Sequence, residues 1–311
     1  MALPLHLLRL FSAVAEHRGF SRAAEALRIS QPAISKGVRA LENQVGTPLI
    51  ERGPGGIRLT EAGDLLAARA RELFSIERAA EEELRAIRGL EHGRLGVAAS
   101  TTIAIYHLPP LLASFRAAHP NVDLRLTSAN THDVLESLLR RDVDIALVEG
   151  PVDDARIEVS PWREEAMALV AAPSHPLARR GGAVSGDDLR GELFVVREPG
   201  SGTRDVAEAL LAAIGVTPPR ILEVGSTEAI KQVVAAGLGL AIVSRMAAAD
   251  QLALGRLSAL PVTKTGFTRM LSRLSLHGRR PSPTAAAFDR LLDEAADGGK
   301  IPSPAPAPLP A

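Results

Sequence analysis

The chain contains no cysteine in its 311 residues. That excludes a disulfide framework, thiolate metal sites and cysteine nucleophiles. It carries no net charge either. Its 36 Lys and Arg balance 36 Asp and Glu, so no global field draws the molecule onto nucleic acid. Long apolar runs are also missing: nothing approaches the roughly 20 residues of a membrane span. The first residues run into Arg9, Glu16 and Arg18 without the basic-then-apolar layout of a secretory leader. A cytoplasmic protein with no membrane partner is the expectation. What is present is 46% hydrophobic and 23% charged, enough for a packed core and more than one domain.

Three regimes follow one another. Residues 1–59 are short helical patterns with tight turns. Residues 60–89 form one unbroken helical pattern. Thr60 is placed to cap it and Glu61 suits its first turn. Ala62, Leu66, Ala70, Leu73, Ile76, Ala80, Leu84 and Ile87 recur at spacings of three and four, a single apolar stripe on a helix about 40 Å long. Such a stripe between two domains calls for a partner, and a second copy of the chain is the natural one. The alternative is a core helix of one domain. Residues 298–311 are proline-rich and expected to be disordered.

From residue 90 to 297, short apolar strands alternate with amphipathic helices, which predicts parallel sheet with crossover helices. Strands are expected at 95–99, 122–126 and 143–148, with helices at 105–118 and 133–141. The pattern restarts with strands at 166–171, 193–196, 221–224 and 240–243 and helices at 205–214 and 228–236. A strand at 268–276 and a helix at 284–296 close it. Two lobes with a crevice between them are the expected α/β architecture. Lobe I covers about 90–162 and 267–297, and lobe II about 163–266.

At the N-terminal end, residues 5–17 make a helix that Gly19 is expected to stop. Ser21 is expected to cap a short helix over 22–28, and Ser30 another over 31–42. Pro32 falls in the first turn of that last helix, where its missing N–H costs nothing. Two helices joined so tightly form a helix-turn-helix. The outward side of the second carries Gln31, Ser35, Lys36 and Arg39. Amide and hydroxyl groups pair with base edges, and Lys reaches guanine acceptors or a phosphate. Ser21, at a helix start, offers backbone N–H groups to a phosphate. Apolar runs flanking Gly53-Pro54-Gly55-Gly56 predict a β-hairpin that carries Arg52 and Arg58 as a wing. Between Arg18 and Arg58 seven Arg or Lys stand against three Glu, a local basic patch within a neutral whole.

The runs Phe20-Ser21-Arg22-Ala23-Ala24-Glu25-Ala26-Leu27, Ser30-Gln31-Pro32-Ala33-Ile34-Ser35 and Leu59-Thr60-Glu61-Ala62-Gly63, with Leu41-Glu42, Leu49 and Arg52, resemble the N-terminal signature of LysR-type transcriptional regulators. Ile50 departs from it, standing where the family commonly has Phe. The resemblance implies a winged helix, a homodimer through the linker helix and a homotetramer of two such dimers. It also implies an effector domain built like a periplasmic binding protein. Gln31, Pro32, Ser35 and Lys36 would sit at base-contacting positions on promoter DNA, and Arg52 near the backbone or minor groove. RNA polymerase is a candidate further partner.

Three polar turns each follow a strand and precede a helix: Ser100-Thr101-Thr102, Glu198-Pro199-Gly200-Ser201-Gly202-Thr203-Arg204 and Gly225-Ser226-Thr227. Open α/β sheets place ligands at such strand ends. Hydroxyls and free N–H groups at helix starts favour a small anion. Arg204 is a candidate bidentate contact to carboxylate or phosphate, or else a partner of solvent or Glu198. Asn130 and Glu149 are further crevice candidates, and Gly150 a candidate hinge. An effector bound there would close or rotate the lobes by its differential affinity for two arrangements. Gly237-Leu238-Gly239 follows a helix and lacks a third glycine, so it is read as a turn rather than a dinucleotide loop.

Two other functions compete. A transporter's solute-binding protein would explain residues 93–296 alone, but not the helix-turn-helix. An enzyme would use the crevice, yet no His/Asp/Ser constellation or metal-ligand spacing stands out among the eight histidines. No cofactor, metal or catalytic residue is expected.

Overall fold

The computed structural model describes residues 3–53, 56–86, 93–263 and 267–296. The expectations for residues 87–89, for Pro54-Gly55 at the wing tip, for the Arg52 side chain and for the tail at 298–311 lie outside what is described. Two units divide the chain, Met1–Glu81 and Glu82–Ala311.

The first unit comprises α1 (Leu5–His17), α2 (Phe20–Leu27), α3 (Gln31–Val45), β1 (Ile50–Gly53), β2 (Gly56–Leu59) and α4 (Glu61–Ala86) up to Glu81. Two sequence expectations fail at the α1–α2 corner. Arg18, not Gly19, takes the left-handed conformation that ends α1, with φ 48° and its N–H on the Val14 carbonyl. Ser21 does not cap α2, which starts at Phe20 behind an extended Gly19. Phe20 is buried, so its ring belongs to the helix that carries it into the core. Ser21 is left exposed in the first turn. Ser30 does cap α3, its Oγ accepting from the Ala33 N–H at 3.4 Å. That helix runs three residues past the expected 42 and ends at Gly46, left-handed at φ 78°.

One face of α3 buries Ile34, Gly37, Val38 and Leu41 against Leu8, Phe11 and Val14 of α1. A Cβ at Gly37 would lie 2.3 Å from Leu10 Cδ1, so α1 crosses where α3 has no side chain. Glu42 turns back to accept from the Leu49 and Ile50 N–H groups at 2.9 and 3.2 Å, fixing β1 to α3. β1 and β2 pair antiparallel from Ile50↔Leu59 to Gly53↔Gly56. Thr60 caps α4 by accepting from the Gly63 N–H at 3.0 Å. The first half of α4 packs Ala67 and Ala70 into this core, and Arg9 of α1 grips Glu77 at 2.6 Å. The stripe expected along α4 therefore divides. Its Leu73, Ile76 and Leu84 are exposed, as is Leu65 outside it.

The second unit contains β3 (Gly93–Ser100), α5 (Leu108–Ala118), β4 (Val122–Ala129), α6 (Thr131–Leu139), β5 (Ile145–Glu149), β6 (Ile157–Ala171), α7 (Pro176–Arg180), α8 (Gly186–Leu189), β7 (Leu193–Val196), α9 (Gly202–Ala213), β8 (Arg220–Glu223), α10 (Thr227–Ala235), β9 (Ala241–Ser244), α11 (Ala249–Ala253), β10 (Ser258–Leu260), β11 (Thr268–Leu276) and α12 (Pro283–Ala296). Lobe I is a sheet in the order β4-β3-β5-β11-β6, with β3, β4 and β5 parallel and β11 antiparallel. Alternation along β3 sends Leu95, Val97 and Ala99 to one face, under Leu111 and Phe115 of α5 and Phe288 of α12. It sends Ala98 to the other, under Val134 and Leu138 of α6.

Lobe II is built on the second half of β6. That strand leaves β11 after Ala166↔Thr268 and takes β9 on one side from Met167 and β10 on the other. β7, paired parallel with β8, joins β9 through hydrogen bonds on both sides of Leu240. The expected division at 162/163 falls inside this continuous strand. It lies at the bulge where Trp162 is passed over between Pro161↔Ser272 and Arg163↔Leu271. The glycines at 237 and 239 form the turn between α10 and β9, at φ 92° and 76°.

Candidate functional site

In the first unit, burial of one side of α3 leaves the other to solvent. Gln31, Pro32, Lys36 and Arg39 are exposed, while Ser35 is half-buried. Among the described residues no carboxylate pairs with Lys36 or Arg39. Arg58 is exposed on the hairpin and Ser21 on α2. Arg22 donates to the Arg18 carbonyl at 3.0 Å. An amide and two cations thus share one helix face beside a basic hairpin, which suits base edges and phosphates.

In the second unit the first two expected turns meet where the lobes join, and the third, through Thr227, reaches Arg197 beside the second. The seam is partly backbone. His132 N–H donates to the Gly200 carbonyl at 3.1 Å. Gly202 N–H donates to Thr131 Oγ1 at 3.1 Å, whose own hydroxyl donates to the Glu149 carbonyl at 3.1 Å. Only glycine fits here: a Cβ on Gly202 would stand 1.8 Å from the Glu149 carbonyl oxygen.

Behind the seam lies a buried polar network. Ser100 and Thr203 both donate to the Glu149 carboxylate, Thr203 at 2.8 Å. Arg269 donates to Thr203 at 3.0 Å and, through Nε, to Glu165 at 2.6 Å. Glu165 also meets His107 Nε2 at 2.8 Å and the Ser244 hydroxyl at 2.7 Å. Burial alone would raise the Glu165 carboxyl. The His107 bond, the Arg269 charge and the Ser244 hydroxyl outweigh it and hold the group down at about 2.

At another point Tyr106 of lobe I reaches Lys231 and Glu228 of α10. Lys231 Nζ donates to the Tyr106 hydroxyl at 2.9 Å and the Ala247 carbonyl at 2.6 Å. Burial would lower the Lys231 ammonium, but the Glu228 carboxylate and the Tyr106 hydroxyl raise it overall.

Among the described residues, Thr102 Oγ1 and His107 Nδ1 beside this crevice are buried without a hydrogen-bond partner. Both belong to the segment after β3, where a regular helix was expected from 105 but a wider turn over Ile103–His107 precedes α5. Such turns recur at functional sites, and an unmet buried polar group costs stability until a ligand satisfies it.

The sequence-derived residues fall into distinct places. Thr102 is buried and unpartnered, and Thr101 is half-buried. Thr227 is buried at the start of α10. Ser201 is buried before α9 without capping it. Asn130 caps α6, accepting from the Asp133 N–H at 2.9 Å. Arg204 meets Glu208 at 2.7 Å and Glu223 at 3.0 Å rather than Glu198. The arginine on Glu198 is Arg197, which also reaches Thr227 at 3.4 Å. Sequence reasoning missed Arg197, Lys231, Tyr106, His107, Glu165 and Arg269. The signal available for three of them was a charge inside a strand or at its end, at Glu165, Arg197 and Arg269. Among the described residues no cluster of His, Asp and Glu is arranged to hold a metal ion, and no helix is long and apolar enough to cross a membrane.

Residues 5–64 match the bacterial regulatory helix-turn-helix family model of lysR type, and residues 88–297 match the LysR substrate binding domain. The HTH-type transcriptional regulator CfxR of Cupriavidus necator is 38% identical over 94% of this chain and 92% of its own length. The full-length regulator CbnR, solved with its target DNA, superposes with a TM-score of 0.67 at 27% identity, over 94% of this chain and 99% of that one. The regulatory domain of Synechocystis CcmR, solved in complex with 2-PG, gives a TM-score of 0.61 at 28% identity, over 66% of this chain and 98% of that one.

Proposed function

The chain belongs to the LysR family of transcriptional regulators, and on that premise we propose that its winged helix reads promoter DNA while a small anionic metabolite, bound between the two lobes, sets its activity. It is a regulator with a helix-turn-helix and an effector domain, not an enzyme. One observation carries the DNA-reading half. Gln31, Lys36 and Arg39 stand exposed on α3, whose opposite face is core. Gln31 at the first position of the helix and Ser35 one turn later are the base-reading pair. Arg39, Arg52, Arg58 and Ser21 serve the phosphates.

Gln31→Ala is expected to cost about 1–3 kcal/mol of operator binding and nothing on random duplex. Lys36→Ala, if it holds a phosphate, should weaken both alike and lower the salt slope by about one. Fluorescence anisotropy on the two duplexes at several salt concentrations separates these outcomes. Equal losses for Gln31→Ala on both duplexes would refute base reading.

The anionic character of the effector is argued from the chain itself. Thr102 Oγ1 is an unsatisfied buried hydroxyl, α10 presents its N-terminus at Thr227, and Arg197 and Lys231 stand near it. Helix starts and cations favour negative charge. A thermal-shift screen of small carboxylates, sulfur oxyanions and sugar phosphates identifies the ligand, because one that binds only the folded state raises its stability. Thr102→Val should remove that response while leaving DNA binding in place. A normal shift in this variant would sink the crevice reading.

The exposed Leu65, Leu73, Ile76 and Leu84 of α4 form the proposed homodimer contact, and two such dimers the tetramer. Work on promoter DNA places the protein in the cytoplasm.

A further inference from the structure

Ser100 at the end of β3 and Thr203 in the first turn of α9 belong to two turns that the sequence marks as anion donors, one on each lobe. Both hydroxyls are already spent. Ser100 donates to one oxygen of Glu149. Thr203 donates to the other at 2.8 Å. The proton direction at Thr203 follows from Arg269, which can only donate and does so to the same hydroxyl at 3.0 Å. Arg269 Nη1 also stands 3.4 Å from that carboxylate oxygen. Ser100, Thr203, Arg269 and Glu149 are all at least 96% buried, and Thr203 lies in the first turn of α9.

Arg269 does not need Glu149 for charge balance. Two of its nitrogens lie 2.6 Å from Glu165. Glu149 therefore enters as a second negative group whose compensation comes from two hydroxyls, a shared guanidinium and a helix start. That is how a protein holds a bound anion rather than an ion-pair partner.

We propose that Ser100, Thr203 and Arg269 form a carboxylate-binding seat that the chain's own Glu149 fills, so that Glu149 determines which ligands the crevice admits. A tethered carboxylate keeps free anions from bridging the two hydroxyls. It directs an effector's acidic group to Thr102 and the start of α10 instead. The second step rests on the crevice being the effector site; the seat itself does not.

The test uses the full-length protein and its Glu149→Ala variant, with sodium acetate as the probe and acetamide and sodium chloride as controls at matched concentration. Glu149→Ala should lose stability and recover part of it with acetate, saturably. The gain should be about 3–5 °C in Tm at ten times the Kd, beyond any rise in the unsubstituted protein. Acetamide and chloride should not reproduce it. An acetate response equal in the two proteins, or no greater than that to chloride, overturns the proposal. Where Glu149→Ala does not fold, Glu149→Gln decides. It fills the seat without charge, so a Tm below that of the unsubstituted protein and insensitive to acetate is expected, and an unchanged Tm overturns the proposal. Acetate rescue in a protein that answers no metabolite would remove the effector reading and leave the seat. Intact effector response without rescue would do the reverse.

Discussion

Replacing Arg269 by methionine will lower the stability of the effector domain by about 3–5 kcal/mol at neutral pH. Arg269 is one of the most deeply buried cations of the chain, with a side chain only 1% accessible. It stands between Glu165 and Glu149, which are themselves 5% and 2% accessible. Methionine keeps the stem and its packing but leaves two carboxylates with hydroxyls and one imidazole. Removing one partner of a buried pair costs more than the pair contributes, because the other charge stays behind uncompensated.

The pH dependence gives this prediction its sign. In the native protein Glu165 titrates at about 2, against an ordinary 4.5. A depressed carboxyl contributes stability that is fully present above the ordinary value and is lost as pH falls from there through 2. The difference corresponds to about 3 kcal/mol at neutral pH. Without Arg269 burial is less opposed and the carboxyl rises toward its ordinary value, so acid costs the variant less than it costs the native protein. Urea denaturation at pH 7 and pH 4.5 should therefore show a deficit that shrinks at the lower pH. A deficit below about 1 kcal/mol, the worth of an ordinary exposed ion pair, or one that grows in acid, would show that the network does not depend on this charge.

The pairing behind that prediction illustrates what the sequence can and cannot disclose. Local signals were readable: Ser30 and Pro32 at the start of α3, Thr60 at the start of α4, and the apolar pattern that places a strand at 268–276 with both ends as found. The first half of β6 was not. Ser160-Pro161-Trp162-Arg163-Glu164-Glu165 has a proline and three consecutive charges, and it becomes strand because β11 supplies its partner through a bulge. Arg269 and Glu165 are cross-strand neighbours, and no spacing along the chain links residues 104 positions apart. The turn after β3 was hidden for another reason. Pro109 and Pro110 have no N–H to give to the carbonyls one turn earlier, so the regular helix starts only at Leu108. The segment before it widens and leaves Thr102 and His107 with unmet groups. Glu149 is legible as a crevice candidate from its place at a strand end. Its burial under Ser100 and Thr203 depended on how the lobes dock, which only the three-dimensional structure supplies.

That docking is most sensitive at Gly202. Gly202→Ala should lower stability by about 2–4 kcal/mol and weaken the effector response, while the first unit keeps its affinity for random DNA. The added methyl would stand 1.8 Å from the Glu149 carbonyl oxygen and 2.7 Å from Thr131 Oγ1. The first of these is backbone at the end of β5, next to Gly150, whose φ of +87° leaves that turn little freedom to move. Relief therefore comes only by parting the lobes, which stretches the Gly202–Thr131 bond and the Thr203–Glu149 bond together. The covalent path between lobes through β6 and β11 survives, so the variant folds with a loosened seam instead of failing to fold. Gly225→Ala is the matched control. A Cβ there meets nothing within 4 Å and the backbone is not left-handed, so its effect should stay within about 0.5 kcal/mol. If the urea midpoints of the two variants coincide, the seam is not a point of close packing and the lobes are free to part there without cost.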